Sequence, residues 1–262
     1  MIVAARIFLV GGLTSFRALW YWLTPWIYVP TMLIAPIFQI LLFAYIGRSA
    51  HLRSDEFYLL GNALQYASIP CLFAMGQMVS GERYQETLGA ILVSPAARIP
   101  LFLGRSLPVI VNGAFVAAFS LAVGSLILGV HLPSSSLPPL ALVVLVASFS
   151  CTGLGFVNAA ISLRVRENAV ASNAIFGFLL IFTGANVPLD SLPGWMSTAA
   201  EGMPFTHAIA AARKLAAGAS LGDVGGLVGA ELLVGVIYGI AGYGLLRFFE
   251  VQGRRHATLE RS

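Results

Sequence analysis

Few side chains in this chain could do chemistry. Its four histidines, His51, His131, His207 and His256, share no metal-ligand spacing. Cys71 and Cys151 both fall inside apolar stretches and read as buried, inert thiols rather than a disulfide or metal framework. A phosphate-binding loop of the form G-x-x-x-x-G-K-[ST] needs a lysine followed by a hydroxyl residue, whereas the single lysine, Lys214, precedes Leu215. The sequence therefore carries no nucleotide-hydrolysing machinery, and any ATP-driven work requires a separate chain. Asp190, Ser191 and His207 share one connecting stretch and could be drawn as a hydrolytic triad, but no nucleophile-elbow context surrounds them. Asp190 and Ser191 better fit as caps of the helix that carries Trp195.

The remaining polar candidates lie within apolar windows, where such residues are costly and default to functional hypotheses. They are Gln39, Asn62, Gln65, Gln77, Asn112, Asn158, Asn173 and, costliest, Glu231. Glu231 could bind a cationic substrate or carry a proton. Its shallow position favours pairing with Arg213 or Lys214, or a bond to another span. Uncharged amides more often join helices than touch ligands.

The elements that position these residues follow from composition. Of 262 residues, 58% are hydrophobic and 10% charged, too apolar for a soluble chain to cover with polar surface. The bilayer must serve as solvent. Stretches free of charge, each about 20 residues or longer, predict six spans near 25–46, 57–79, 106–130, 140–163, 168–188 and, around Glu231, 224–246. Arginines and aromatics alternating with apolar residues before the first span predict an interfacial helix at 3–22. Arg6, Arg17, Arg83, Arg98, Arg105, Arg164, Arg166, Arg247, Arg254, Arg255 and Arg261 fall on one side, against Arg48, Arg53, Arg213 and Lys214 on the other. That bias places both termini, and the tail at 248–262, in the cytoplasm. The fold class is all-α integral membrane, a single domain over 1–262. Arginine-rich, Ala- and Gly-rich composition suits a bacterial genome. No basic run interleaves with aromatics, which argues against nucleic acid.

Two connections carry pattern. Between spans two and three, Tyr84, Leu88 and Ile91 recur at helical spacing with Glu82, Arg83 and Glu86 around the turn, and Pro95 disfavours helix at Ser94. This predicts a short amphipathic cytoplasmic helix at 81–93. The stretch 189–222, broken by prolines, glycines and charges, predicts outer re-entrant or interfacial helices rather than a span. Gly235-x-x-x-Gly239 permits close approach of the last span to another helix, within or between subunits.

Gly-Glu-Arg-Tyr-Gln-Glu-Thr-Leu at 81–88, followed by Ser94-Pro95, resembles the E-R-x-x-x-T-L…S-P segment of ABC-2 type transporter permeases. Val187-Pro188…Leu192-Pro193-x-Trp195…Pro204 is similar to that family's extracellular re-entrant region, and daunorubicin-type drug-export permeases look closest. The resemblance implies a permease that pairs with a second, identical or related permease and with two ATPase subunits holding ATP and Mg; no cofactor is expected on this chain. It makes 81–93 the coupling helix, with Glu82, Arg83, Tyr84, Glu86, Thr87, Leu88 and Ile91 facing the ATPase. It places Phe38, Gln39, Tyr45, Asn62, Gln65, Tyr66, Asn173, Phe176 and Glu231 as candidate substrate-path residues, and Pro188, Leu192, Pro193, Trp195 and Pro204 in the outer re-entrant region. The implied function is export of an amphipathic drug-like, lipid or glycan substrate across the bacterial inner membrane. An integral-membrane enzyme working around Asp190 and His207, or a non-transporting scaffold or sensor subunit, are the alternatives.

Overall fold

The computed structural model describes residues 8, 10–16, 24–84, 98–165 and 168–256. Every regular element among them is helical. Helix α1 (10–16) covers part of the expected interfacial helix, whose other residues lie outside the described ones. It meets the helix that starts at Arg98 closely, since a Cβ on Gly12 would lie 3.1 Å from the Gly104 carbonyl oxygen.

The first span is α2 (Pro25–Tyr28), a π-helical stretch (Val29–Ile34) and α3 (Ala35–Ser49) in unbroken succession. Pro30 has no N–H and its ring crowds the preceding turn, so the backbone widens and Ala35 N–H bonds to the Pro30 carbonyl, five residues back. The second expected span is two helices, α4 (Asp55–Tyr66) and α5 (Ser68–Tyr84). The break at Ala67 follows from Pro70, whose ring excludes the carbonyl four residues earlier, that of Tyr66. Ser54 caps α4 by accepting from Phe57 N–H at 3.3 Å, with Asp55 and Glu56 in the first turn.

Then follow α6 (Arg98–Leu128), α7 (Leu137–Ile161), α8 (Asn168–Phe182), α9 (Gly194–Glu201), α10 (Thr206–Ala216) and α11 (Leu221–His256). Four stretches are long and apolar enough to cross a membrane among the described residues: Pro25–Ser49, Phe102–Leu128, Ser134–Ile161 and Leu221–Phe249. At 15 residues α8 is about 22 Å long, short of a hydrocarbon core of about 30 Å. It ends at Phe182, and Gly184 at φ +74° turns the chain away. Helix continues to His256 where a tail is expected from 248, and Arg164 of the α7–α8 turn meets α11 near that end. Its guanidinium lies 4.9 Å from the Phe249 ring and bonds to Gln252.

Helix α4, buried from Tyr58 to Tyr66, packs against α3, α6 and α10. In a bilayer, apolar side chains gain little by leaving lipid, so helices associate through small residues that let backbones approach. On α7, a Cβ at Gly153 would fall 2.4 Å from Gly235 O of α11, and one at Gly155 2.8 Å from Cys71 O of α5. The Gly235-x-x-x-Gly239 motif therefore packs inside the subunit, against α7. Both cysteines are buried, with Cys71 Sγ 3.6 Å from Ser148 O.

Candidate functional site

Two ends of the bundle can be told apart by contact. Arg53 pairs with Asp190 at 3.9 Å, and Arg213 reaches Phe57 O, so the α3–α4 loop and the α9–α10 region share one end. The Arg164–Gln252 bond places the α7–α8 turn with the last turns of α11 at the other. There α5 runs on through Glu82 and Arg83 to Tyr84, with no break where the sequence suggests a separate helix starting at 81. The side chains of those three residues, and Glu86, Thr87, Leu88 and Ile91 altogether, lie outside the described residues.

Beside this arginine-rich end, Asn158 of α7 ties three helices together. Its amide nitrogen donates to Leu72 O of α5 at 3.0 Å and to Ser172 Oγ of α8 at 2.8 Å. Ser162 Oγ donates to Asn168 Oδ1 at 2.7 Å, and the Asn168 side chain packs directly on Gly76, where a Cβ would meet Oδ1 at 2.1 Å. Asn158→Leu leaves Leu72 O and Ser172 without this donor. We expect it to cost about 2 kcal/mol, read as a lower melting temperature of the detergent-solubilised protein.

Of the path candidates, Gln39, Asn62 and Gln65 form one network. Gln39 Nε2 donates to Asn62 Oδ1 at 2.9 Å and to Gln65 Oε1 at 3.0 Å, and Asn62 Nδ2 donates to Asn186 Oδ1 at 2.8 Å, beyond α8. Sequence reading passed over Asn186, whose only signal is an amide beside an apolar helix. Tyr66 is buried and meets half-buried Phe176 edge-to-face at 6.2 Å. Phe38 and Tyr45 are 68% and 56% exposed, on a stripe of α3 with Leu41, Leu42, Ile46 and Ser49 that lines an open groove of about 460 Å³. Asn173 is exposed on α8, its amide returned to Ala169 O at 2.8 Å. Tyr28 OH donates to Asn112 Oδ1 at 2.7 Å, joining the first span to α6. These bonds show how amides within a bundle are satisfied.

At the α9–α10 end, two sequence expectations are corrected. Asp190 and Ser191 do not cap the helix of Trp195: they form a 3-10 turn, Ser191 Oγ donates to Pro188 O at 2.6 Å, and Pro193 is the N-cap of α9. Proline conformations at 188 and 193 set the chain entry, and no side-chain oxygen caps the first turn of α9. Trp195 is 70% exposed at the start of α9, Leu192 half-buried and Pro204 buried. His207 lies 2.9 Å from Glu201 O, so the polar neighbours of Ser191 and His207 are backbone carbonyls rather than each other.

Glu231 pairs with neither Arg213 nor Lys214. It is fully buried and reaches from α11 to the start of α10, where Oε1 accepts from Phe205 N–H at 2.7 Å and Oε2 from Ala208 N–H at 3.1 Å. Phe205, at φ +73°, turns the chain into α10 with no cap of its own, and the carboxylate meets the donors and positive dipole end that a local cap would have served. Toward the C-terminal end of α10, Arg213 donates to Phe57 O, Gly184 O and Ala185 O at 3.1, 2.9 and 3.2 Å, and lies 3.5 Å from the Phe57 ring centroid. Burial, then neighbouring Arg53, lowers its guanidinium to about 10, leaving it charged at neutral pH. Helix α10, buried along Ala208, Ile209, Ala211, Ala212 and Leu215, is thus held at both ends inside the bundle.

Comparison with known proteins gives a family match. Residues 11–216 fit the sequence model of the ABC-2 type transporter family. Over 133 residues the chain is 27% identical to the protein named Probable multidrug ABC transporter permease YbhR of Escherichia coli (strain K12), covering 49% of this chain and 35% of that protein. The protein of the same name in Escherichia coli O157:H7 matches to the same extent. The chain spans about a third of the length of these curated relatives.

Proposed function

The chain belongs to the ABC-2 type transporter family and is a multi-pass transmembrane transporter subunit, and we propose that it is the permease of an ATP-driven exporter. The family match across residues 11–216 carries this reading. ATP and Mg would sit on separate ATPase subunits, the general kind of partner that the family implies, two per assembly, beside a second permease. The α4–α5 pair and α8 with its following turn would complete six crossings. Arginine bias puts both termini in the cytoplasm of a bacterial inner membrane and the α9–α10 end outside. The word multidrug in the relatives' printed name supports a drug-like cargo; an amphipathic drug, lipid or glycan precursor and a part in antibiotic resistance belong to the proposal. The aromatics Phe38, Tyr45, Tyr66 and Phe176, with the nearby amides, are the proposed path.

Coupling would begin at Glu82 to Leu92. Because α5 is one helix from Ser68 to Tyr84, a push at its arginine-rich end moves the whole rod. The Asn158 bonds to Leu72 and Ser172 would carry that movement to α7 and α8. Reversing both charges, Glu82→Arg with Arg83→Glu, is expected to lower substrate-stimulated ATP hydrolysis of the reconstituted assembly at least ~10-fold, about 1.4 kcal/mol of coupling. Membrane insertion should be unchanged. Hydrolysis that still responds fully to substrate in the double variant would refute docking at this segment.

A further inference from the structure

The α9–α10 end is secured by two charged side chains whose release would differ greatly in difficulty. Glu231 is 0% exposed, and both its oxygens are committed to backbone donors at the start of α10, Phe205 N–H just before it and Ala208 N–H within it. Withdrawn, it would become an uncompensated buried charge and would strip two N–H groups of their acceptor. Arg213 is half-buried, and its three acceptors lie in the first turn of α4 and the turn after α8. A second cation already crowds it: Arg53 stands 5.7 Å from the Phe57 ring that Arg213 covers. A long guanidinium side chain at such a margin can turn its head into water when its carbonyls depart.

The acceptor side is itself one unit. A Cβ on Gly61 of α4 would lie 2.4 Å from Ala185 O, so α4 and the turn after α8 are in backbone contact. Asn62 adds its bond to Asn186. The polar and backbone contacts thus divide this end into α10 with α11 on one side, and α4 with the α8 turn on the other, although the buried face of α10 also packs on α4 and α7. Arg213 spans the division.

We propose that Arg213 is a releasable latch: its detachment from Phe57, Gly184 and Ala185 lets α10 swing away from α4 as a rigid extension of α11, which keeps hold of it through Glu231. The use of this opening, as an outer gate, rests on the transporter reading; the movement does not.

The test uses the full chain in lipid nanodiscs, with Cys71 and Cys151 replaced by alanine and spin labels at two pairs of introduced cysteines. Lys214 with Leu52 spans the division, and Lys214 with Gly229 reports on α10 against α11. All three positions are exposed, and no atom lies within 4 Å of a Cβ at Gly229. Arg213→Ala should lengthen and broaden the 214–52 distance distribution and leave 214–229 unchanged. Arg213→Lys, which keeps the charge but reaches fewer carbonyls, should give a smaller shift and serves if the alanine variant does not fold. Glu231→Gln should instead broaden 214–229. An unmoved 214–52 distance in the Arg213 variants, or a 214–229 distance that shifts with it, overturns the latch. Since no ATPase is present, that failure leaves the coupling test at Glu82 and Arg83 untouched.

Discussion

Gly153→Leu is expected to leave almost no folded protein in the membrane. A Cβ alone at this position would sit 2.4 Å from Gly235 O and 3.2 Å from Gly239 N, both backbone atoms of α11. The reverse insertion fares no better, since a Cβ on Gly235 would meet Ser150 Cα at 2.7 Å. Backbone atoms cannot rotate aside as a side chain can, so α7 and α11 must separate along their contact. The cost should exceed about 4 kcal/mol, the range reserved for severe overpacking. The useful contrast is Gly239→Ala, because no atom lies within 4 Å of a Cβ there. Size-exclusion profiles of detergent extracts should show Gly153→Leu lost or aggregated and Gly239→Ala monodisperse. Equal profiles would mean that α7 and α11 do not cross at these glycines.

Glu231→Leu should be the next most damaging change. It removes both acceptors at the start of α10 and leaves Phe205 N–H and Ala208 N–H unsatisfied inside the protein. Losing such a cap and stranding two buried donors should cost about 3 kcal/mol. For a chain of this size that lowers the melting temperature by roughly 6–12 °C. Glu231→Gln retains one acceptor but turns an amide donor toward the other N–H, so roughly half the loss is expected. A Glu231→Leu protein that melts with the wild type would show that α10 does not depend on this carboxylate.

These two sites also mark how far sequence could reach. Long charge-free windows made the membrane class and most helices legible, because the bilayer imposes length and apolarity on any spanning element. The same rule failed where local chemistry interrupts a helix without a charge. Nothing in hydropathy distinguishes Pro70, which splits the second crossing at Ala67, from Pro108, which α6 absorbs. At Gly235-x-x-x-Gly239 the close approach was readable but the partner was not, since the matching Gly153 belongs to a different helix and carries no spacing relation to the motif.

Glu231 was conspicuous as an acid in an apolar window, yet its partners were beyond reach. The natural guess, a nearby cation, overlooks that backbone N–H groups at a helix start serve a carboxylate as well. Phe205 gives no warning that α10 begins without a cap, because a large apolar residue in the left-handed region is set by its surroundings. Arg213 likewise spends its donors on carbonyls of Phe57, Gly184 and Ala185, which sequence separates by up to 156 positions.

Whether the ATP-hydrolysing engine of this transport subunit is another polypeptide is decided by purifying the tagged chain from its native membrane under mild detergent. The preparation is assayed for bound ATPase subunits and for ATP hydrolysis, with Glu82→Arg/Arg83→Glu run in parallel. An ATPase subunit is expected in near-stoichiometric amount, hydrolysing ATP, and depleted in the double variant although the variant chain itself is recovered in full. A well-folded chain that never carries an ATPase and supports no hydrolysis would contradict a separate ATP-hydrolysing partner.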